Sequence, residues 1–158
     1  MSRVYAISDL HLKHKNLVHW WTGKKFKTIE EHDEWLVESI NSVVTKRDTL
    51  WILGDIAWNN AALKLLGEIK GYKKLLLGNH DGMKSAEYAK YGRLMPGLVK
   101  YKNFWLSHCP IHPDELRGMR NIHGHVHHNP IPDDRYLSVC VETLNGIPLD
   151  ITEMDGRV

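Results

Sequence analysis

The first half of the chain repeats one pattern, in which a short apolar run ends abruptly at an acidic or amide side chain. The three runs cover residues 4–7, 48–53 and 73–77, and they are followed by Ser8-Asp9, Gly54-Asp55 and Gly78-Asn79. Short apolar runs closed by turn residues predict buried β-strands. Apolar residues at helical spacing lie between them, after Thr28 and again from Ala61. This β-α-β-α-β order predicts a sheet with helices packed on it.

The second half has a different sequence pattern, with short strand-like segments separated by proline, glycine and asparagine turns. We expect strands near residues 99–101, 104–107, 121–123, 136–141 and 149–151. The basic, aromatic and irregular stretch 13–27 predicts a surface loop. Together the two halves predict helices packed on two central sheets, within a single domain spanning residues 1–158.

Composition excludes several classes of protein. The 158 residues are 42% hydrophobic and 25% charged, which excludes a disordered chain. A net charge of +2 is too small to predict nucleic-acid binding by itself. Two cysteines without a C-x-x-C pair argue against a disulfide framework or a zinc finger. No run is long enough to span a membrane, and we expect a cytoplasmic protein.

Histidine is the abnormal residue, with 11 in the chain. Many of them follow predicted strands, as do the acidic and amide side chains: Asp9, His11, Asp55, Asn79-His80-Asp81, His108 and residues 123–128. In open α/β sheets the functional crevice lies beyond the carboxyl ends of the strands. Asp9 and His11 are two residues apart, like His125 and His127, so extended backbone would point each pair into one site. A glycine before Asp55, Asn79 and His125 would let the backbone turn and approach an ion closely.

The residue types indicate which metals such a site would take. A set of nitrogen and oxygen ligands without thiolate favours Mn²⁺, Fe, Zn²⁺, Ni²⁺ or Co²⁺ over Ca²⁺ or Mg²⁺. Seven candidate ligands are too many for one tetrahedral zinc. Two ions about 3.5–4 Å apart that share a carboxylate would use them all.

Five blocks in this order resemble the calcineurin-like metallophosphoesterases. They are Asp9-x-His11, Gly54-Asp55, Gly78-Asn79-His80-Asp81, His108 and Gly124-His125-x-His127. The blocks span residues 9–127, and the short chain is similar to compact members of bacteria and phages. The resemblance implies an α/β fold of the four-layer α/β/β/α type, in which two central mixed β-sheets are flanked by helices.

The resemblance also implies roles for these residues. It assigns two divalent transition-metal ions, with Mn first and Ni, Fe, Zn or Co as alternatives. The first ion would be held by Asp9, His11, Asp55 and His127, and the second by Asp55, Asn79, His108 and His125. A hydroxide bridging the ions would attack phosphorus, and His80 would protonate the leaving group as general acid. Asn79 would also touch the phosphate.

Several other polar residues allow two interpretations. Asp81 either orients His80 or caps the segment at Ser85. By strand alternation, His123 is a hydrogen-bond donor to a ligand rather than a further ligand. His14 belongs either to a solvated loop or to a wall that faces the substrate. His32 is expected on a charged helix face. The tryptophans, Trp58 among them, are expected in the core or a lid rather than as base-stacking platforms.

One segment departs from the pattern of the family's protein Ser/Thr phosphatases, which continue Gly-Asp-x-x-Asp-Arg-Gly. Here Trp58 and Asn59 replace the second acid and the phosphate-clamping arginine, and Asn60 is a conjectured partial substitute. A phosphodiester carries one charge fewer than a monoester and needs that clamp less. We therefore favour phosphodiester, cyclic-nucleotide or nucleotide-type small substrates.

Two other functions stay open. A nuclease or nucleic-acid end-processing phosphatase would use the same site, so nucleic acid is an allowed but not a required partner. Its substrate affinity would fall steeply with salt. A non-catalytic scaffold is disfavoured because no ligand position is lost. We expect no membrane partner, and the sequence leaves the oligomeric state open.

Overall fold

The protein is described by a computed structural model of residues 1–158, apart from the side chain of Thr22. Within it, nine strands form two sheets. The strands are β1 Val4–Ile7, β2 Thr49–Leu53, β3 Tyr72–Leu76, β4 Arg93–Leu94, β5 Leu98–Tyr101, β6 Phe104–Ser107, β7 Arg120–His123, β8 Tyr136–Ser138 and β9 Leu149–Asp150. The α-helices are α1 Ile29–Val43, α2 Asn60–Leu63, α3 Ser85–Ala89 and α4 Val141–Leu144.

The first sheet has the order β4-β3-β2-β1-β9, in which only β9 is antiparallel to its neighbour. Strands β1 and β2 are buried on both faces after their first residue, which explains their continuous apolar sequences, whereas β3 is buried only at Leu75 and Leu76. In β2, Leu50 and Ile52 belong to the core under the helices, whereas Trp51 and Leu53 belong to a second core. The predicted buried strands of the first half are therefore confirmed.

The second sheet has the order β5-β6-β7-β8, with one antiparallel and two parallel pairings. Phe104, Leu106 and Ile122 from this sheet pack with Trp51 and Leu53 from the first. The core between the sheets consists of these side chains and their neighbours. The prediction of an α/β fold with two central mixed sheets and flanking helices is confirmed.

Helix α1 covers the first sheet and begins as its sequence predicts. The Thr28 hydroxyl accepts a hydrogen bond from the Glu31 N–H (3.2 Å), which satisfies one free donor of the first turn. Leu36 and Ile40 are fully buried on its inner face. His32 is fully buried too and lies 3.1 Å from the Asp33 carboxylate, so the expectation of a surface position was wrong.

Two local predictions differ from the structure, and one strand, β4, was not predicted. The segment 136–141 leaves its strand at Ser138, and α4 begins at Val141. The stretch 13–27 contains two short 3₁₀ segments, with Leu17 and Phe26 buried beneath it. Strand β4 has only two residues, too few to show a pattern in the sequence.

The single domain over residues 1–158 stays a prediction. Among the described residues, no helix has both the length and the apolar character needed to cross a bilayer.

Candidate metal centre

The loops that follow five strands meet at one edge of the two sheets. These strands are β1, β2 and β3 in the first sheet and β6 and β7 in the second. The Asp9 N–H donates to the Gly54 carbonyl (3.0 Å), and the Gly124 N–H donates to the His108 carbonyl (2.8 Å). The His125 N–H donates to the Asp9 carboxylate (2.9 Å) and so links the two sheets. The strand ends are therefore tied together by backbone donors.

Five of the candidate ligands adopt a left-handed backbone, which residues other than glycine rarely do. They are Asp9 (φ 62°), His11 (44°), Asp55 (51°), His125 (72°) and His127 (48°). Such backbone costs about 1–3 kcal/mol per residue and concentrates at functional sites. The explanation of the paired ligands by extended backbone was therefore wrong. Their side chains converge because the chain turns tightly at each of them.

The glycines that precede three candidate ligands are required for different reasons. Gly54 has φ 93°, and a Cβ there would lie 2.5 Å from Nδ1 of His108. At Gly78 a Cβ would overlap the backbone and carboxylate of Asp55, and at Gly124 it would overlap the Asp9 carboxylate. Only Gly54 needs a backbone that other residues avoid. The other two provide space beside an aspartate.

One group of ligand atoms matches the first predicted ion. Nε2 of His11 lies 3.7 Å from Oδ1 of Asp9 and 3.4 Å from Oδ2 of Asp55. Nε2 of His127 lies 3.5 Å from the same Asp9 oxygen. Two atoms bonded to one ion at about 2.1 Å stand about 3.0–3.4 Å apart, so these spacings suit a shared cation.

A second group continues from the same Asp55 oxygen. Oδ2 of Asp55 lies 3.4 Å from Nε2 of His108. Oδ1 of Asn79 lies 2.8 Å from that nitrogen and 3.1 Å from Nδ1 of His125. Asp55 thus faces both groups with one oxygen, as a carboxylate shared between two ions would.

The hydrogen bonds of the two aspartates leave one oxygen of each free. Oδ2 of Asp9 accepts from the Ser8 hydroxyl (2.6 Å) and from the His125 N–H, and Oδ1 of Asp55 accepts from the His80 N–H (2.9 Å). Asp9 Oδ1, Asp55 Oδ2 and His11 Nε2 are buried and have no hydrogen-bond partner among the described residues. Buried polar atoms without partners are costly. These three atoms lie close together and would be satisfied by divalent cations. The residues present therefore fit the metal binding that the sequence predicted.

Neighbouring groups fix the orientation of two candidate histidine ligands. Nδ1 of His108 donates to the Leu53 carbonyl (2.8 Å), which leaves Nε2 for the centre. Nδ1 of His127 lies 3.0 Å from a carboxylate oxygen of Glu142, whose side chain is 2% exposed. Glu142 was missed in the sequence, because residues 136–141 were interpreted as a strand. A carboxylate buried behind a ligand histidine raises its basicity and fixes its tautomer.

Charge complementarity keeps both aspartates ionised. Burial alone would raise the pKa of Asp9, but His11, Ser8 and His125 favour the carboxylate and lower it to about 2. Burial likewise opposes ionisation of Asp55, and His108 together with the His80 N–H lowers its pKa. Both carboxylates therefore stay ionised to lower pH than free aspartates do.

The same charge balance raises the pKa of two histidines. Burial would lower the pKa of His108, but the Asp55 carboxylate beside its Nε2 and the charge of Asp9 raise it. Burial would also lower the pKa of His127, and Glu142 raises it. Each of these histidines thus holds its proton to a higher pH than a free imidazole does, and a cation bound by its ring would compete with that proton.

His80 and Asp81 follow Asn79 but have separate surroundings. The His80 side chain is exposed, and its ring centroid lies 5.7 Å from that of His11. The Asp81 carboxylate neither orients His80 nor caps Ser85. It accepts from the N–H groups of Ile56 (2.9 Å) and Gly78 (2.8 Å), and so holds the loops after β2 and β3 together.

Two weaker site predictions are not supported by the contacts. Nδ1 of His123 lies 2.8 Å from the Gly124 carbonyl instead of a ligand side chain. Strand alternation does not give the direction of the His123 side chain, because β7 ends at His123 and the chain turns before His125. Asn60 is exposed at the first position of α2, and the described contacts give it no hydrogen bond to the centre.

Cys109 is a further metal-type side chain that the sequence interpretation left out. Its Sγ lies within 4.8 Å of ligand atoms of His108 and His125. Asp9 with His11 and His127, and Asp9 with Asp55 and His108, form two other groups of this kind. The exposed Cys109 therefore borders the second group of ligand atoms.

Two mixed sheets that converge on this cluster of carboxylates and imidazoles define a metal-binding α/β protein. A family model described as calcineurin-like phosphoesterase matches residues 2–150. The chain belongs to this family, and its centre is that of a metal-dependent phosphoesterase.

Relatives include two phage proteins called gene 66 protein. That of Mycobacterium phage L5 is 42% identical over 87 residues, covering 52% of this chain and 41% of its own length. The matched region thus spans less than half of that phage protein. The protein of Mycobacterium phage D29 is 40% identical over 164 residues, covering 80% of this chain and 79% of its own length.

More distant relatives extend the likeness to archaea and to a solved structure. An uncharacterized protein of Methanocaldococcus jannaschii is 29% identical and covers 96% of this chain and 88% of its own length. A crystal structure of a protein of unknown function from Aquifex aeolicus superposes with a TM-score of 0.74 at 26% identity. It covers 95% of this chain and 96% of the other.

Proposed function

We propose that this protein hydrolyses small phosphodiesters, of the cyclic-nucleotide or nucleotide type, with two divalent ions and with His80 as general acid. The observation that carries the proposal is the set of three unpartnered, buried atoms on Asp9, His11 and Asp55. They face one another while the remaining oxygens of both aspartates are held by protein donors.

Each group of residues has a separate task in this reaction. Divalent ions bound here supply Lewis-acid activation of water and neutralise charge on the phosphate. Asp9 and Asp55 hold the negative charge that attracts the cations, and their hydrogen bonds fix which oxygen they present. Glu142 keeps the Nδ1 proton on His127, so that Nε2 faces the centre.

His80 is the proposed proton donor because of its position. Its backbone N–H is anchored on Asp55, and its exposed ring stands beside the ring of His11. A side chain at the mouth of the centre can reach a leaving oxygen while remaining outside both groups of ligand atoms. Protonation of that oxygen contributes most when the leaving group is poor.

The preference for diesters rests on the segment after Asp55. Asn59 occupies the position of the phosphate-clamping arginine, but its side chain accepts a hydrogen bond from the Ala62 N–H (2.9 Å). Asn59 therefore caps α2 and does not replace the clamp. A phosphodiester with one negative charge depends less on such a clamp than a monoester with two.

We propose Mn²⁺ as the working metal, since neutral imidazoles combined with carboxylate and amide oxygens suit it. A cytoplasmic location is proposed as well. Cys109 and Cys140 are both free thiols, which suits a reducing compartment.

The test compares two activated esters on metal-free protein supplied with single ions. Mn²⁺, Ni²⁺, Zn²⁺ or Mg²⁺ is added, and release of p-nitrophenol from bis(p-nitrophenyl) phosphate and from p-nitrophenyl phosphate is measured. We expect the highest kcat/KM with Mn²⁺ and the diester. Turnover of the monoester alone would contradict the diester assignment, and no turnover with any ion would contradict the enzymatic function.

A further inference from the structure

An exposed aromatic ring lies beside the candidate metal centre. Of the six tryptophans, Trp58 alone is exposed, at 53% of its surface. Its ring is stacked on the imidazole of His14, with a centroid distance of 4.3 Å and an interplanar angle of 2°. We call this pair the stacking shelf. Because His14 covers one face of Trp58, the exposed surface belongs to the other face and the ring edges.

The stacking shelf is next to the ligand cluster. The ring centroid of His14 lies 5.5 Å from that of the candidate ligand His11, so one imidazole separates Trp58 from the centre. Trp20 meets the edges of both His11 and His14 at 5.1 Å. Trp58 is therefore no more than two ring-to-ring steps from a candidate ligand, a separation that one nucleotide can span.

Backbone pairing holds the stacking shelf in place. The Trp58 N–H donates to the Leu12 carbonyl (3.0 Å), and the Leu12 N–H donates to the Ile56 carbonyl (3.1 Å). Leu12 and Ile56 are fully buried. The loops after β1 and β2 thus present the shelf as a preformed surface, which lowers the entropic cost of binding.

The groove along the shelf has the charge of a site for anions. It measures about 480 Å³ and is lined by Lys13, His14, Lys15, Asn16, Trp58 and Asn59. That volume lies within the about 300–1,000 Å³ typical of small-molecule sites. On the other side of Lys13 a groove carries five acidic side chains, Glu30, Asp33, Glu34, Glu38 and Glu68. Phosphate esters are therefore attracted to the Trp58 side and repelled from the other.

We infer that Trp58 is the platform on which the nucleobase of a nucleotide-type substrate stacks, while Lys13 and Lys15 attract the anionic substrate to this side of the centre. This inference rests on the proposed function and adds the substrate class to it. Stacking of a base on an aromatic side chain is tolerant of base identity, because every base has a π-face. The shelf would thus select nucleotides over other phosphate esters without distinguishing one base from another.

The test uses two methylphosphinates, in which carbon replaces both ester oxygens, so that the group carries one negative charge like a diester and hydrolysis is prevented. One is the analogue of the methyl diester of adenosine 5′-monophosphate, and the other is the analogue of the methyl diester of ribose 5-phosphate, which lacks the base. Calorimetry on the Mn²⁺-loaded protein is expected to give about tenfold tighter binding of the adenosine compound. Trp58→Ala should remove that advantage and leave the ribose compound unchanged, and Trp58→Phe should retain part of it.

Tyr72→Ala is the matched control, because Tyr72 is 52% exposed and belongs to β3, outside the groove. Equal affinity of the two compounds for the unmodified protein, or binding of neither, would overturn the inference. Equal weakening of both compounds by Trp58→Ala would overturn the inference too.

Hydrolysis of bis(p-nitrophenyl) phosphate is measured on the same preparations. Its absence, together with base-dependent binding, would contradict the proposed function alone.

Discussion

The metal centre and the stacking shelf differ in the contacts that hold them in place and in the ligands that they are expected to bind. The centre contains three buried residues at positive φ, Asp9, His11 and Asp55, and its aspartates accept hydrogen bonds from Ser8, His80 and His125. The shelf is an exposed ring on an imidazole, held by two backbone pairings. Changes at the centre should therefore affect metal binding and every substrate. Changes at the shelf should affect substrate choice alone.

Removal of the shared carboxylate should have the largest effect. Asp55→Ala deletes the oxygen that faces both groups of ligand atoms. We expect loss of both ions and a fall in kcat/KM of about 10³-fold or more. Metal content after desalting and diester hydrolysis measure this, with the exposed Asp134→Ala as control. Retention of two ions by Asp55→Ala would remove Asp55 from the bridging position.

Loss of His80 should separate chemistry from metal binding. In His80→Ala we expect two ions to remain, with activity on esters of poor leaving groups reduced about 10²–10⁴-fold. Activated nitrophenyl esters should lose much less, since their leaving groups need no proton. Comparison of kcat for the two ester types checks this. Equal losses on both would argue against proton donation.

Addition of one methyl group beside Asp55 should disturb the centre by steric overlap alone. Gly78→Ala places a Cβ against the backbone and carboxylate of Asp55, whereas Gly82→Ala meets nothing within 4 Å. Overpacking of this kind costs about 1–3 kcal/mol. We expect a lower Tm and weaker metal binding for Gly78→Ala and neither for Gly82→Ala. Equal behaviour of the two variants would be inconsistent with the close approach.

The buried partner of His127 should affect metal affinity more moderately. Glu142→Gln keeps the shape of the side chain and removes its charge, and we expect about 10–100-fold weaker metal binding. Glu153→Gln, at an exposed position, is the matched control. Unchanged affinity in Glu142→Gln would mean that the carboxylate behind His127 does not support the centre.

The smallest expected effect is the dependence of metal-free stability on pH. The pKa of Asp9 is lowered from 3.8 to about 2, so its contribution is present above pH 3.8 and is lost as the pH falls toward 2. A shift of this size corresponds to about 2 kcal/mol. The difference in unfolding free energy between wild type and Asp9→Asn, measured in denaturant, should therefore shrink between pH 6 and pH 2. A constant difference would show that Asp9 is not stabilised as a carboxylate.

The sequence predicted the centre better than the shelf for a physical reason. Apolar runs that end at Asp9, Asp55 and Asn79 are local signals, and strand topology brings their ends to one edge. Stacking of His14 on Trp58 joins residues 44 positions apart through two loops, and no local pattern encodes it. Glu142 was hidden for a similar reason, because a one-turn helix leaves no periodic signal.

The prediction that Asp9 pairs with His11, and His125 with His127, rested on an incomplete account of the backbone. The paired ligands were placed by strand alternation, but Asp9 and His11 reach the centre through left-handed turns. Alternation failed at His123, where nothing comparable brings the ring to a ligand. Residue type and spacing therefore located the site, while the conformation of each turn required the structure.

The central claim is that two ions share Asp55, and electron paramagnetic resonance of the Mn²⁺-loaded protein tests it most directly. We predict two bound ions per chain and the spectrum of an exchange-coupled pair, which Asp55→Ala abolishes while Asp134→Ala preserves it. One ion per chain, or two ions with the spectrum of isolated Mn²⁺, would contradict the shared centre.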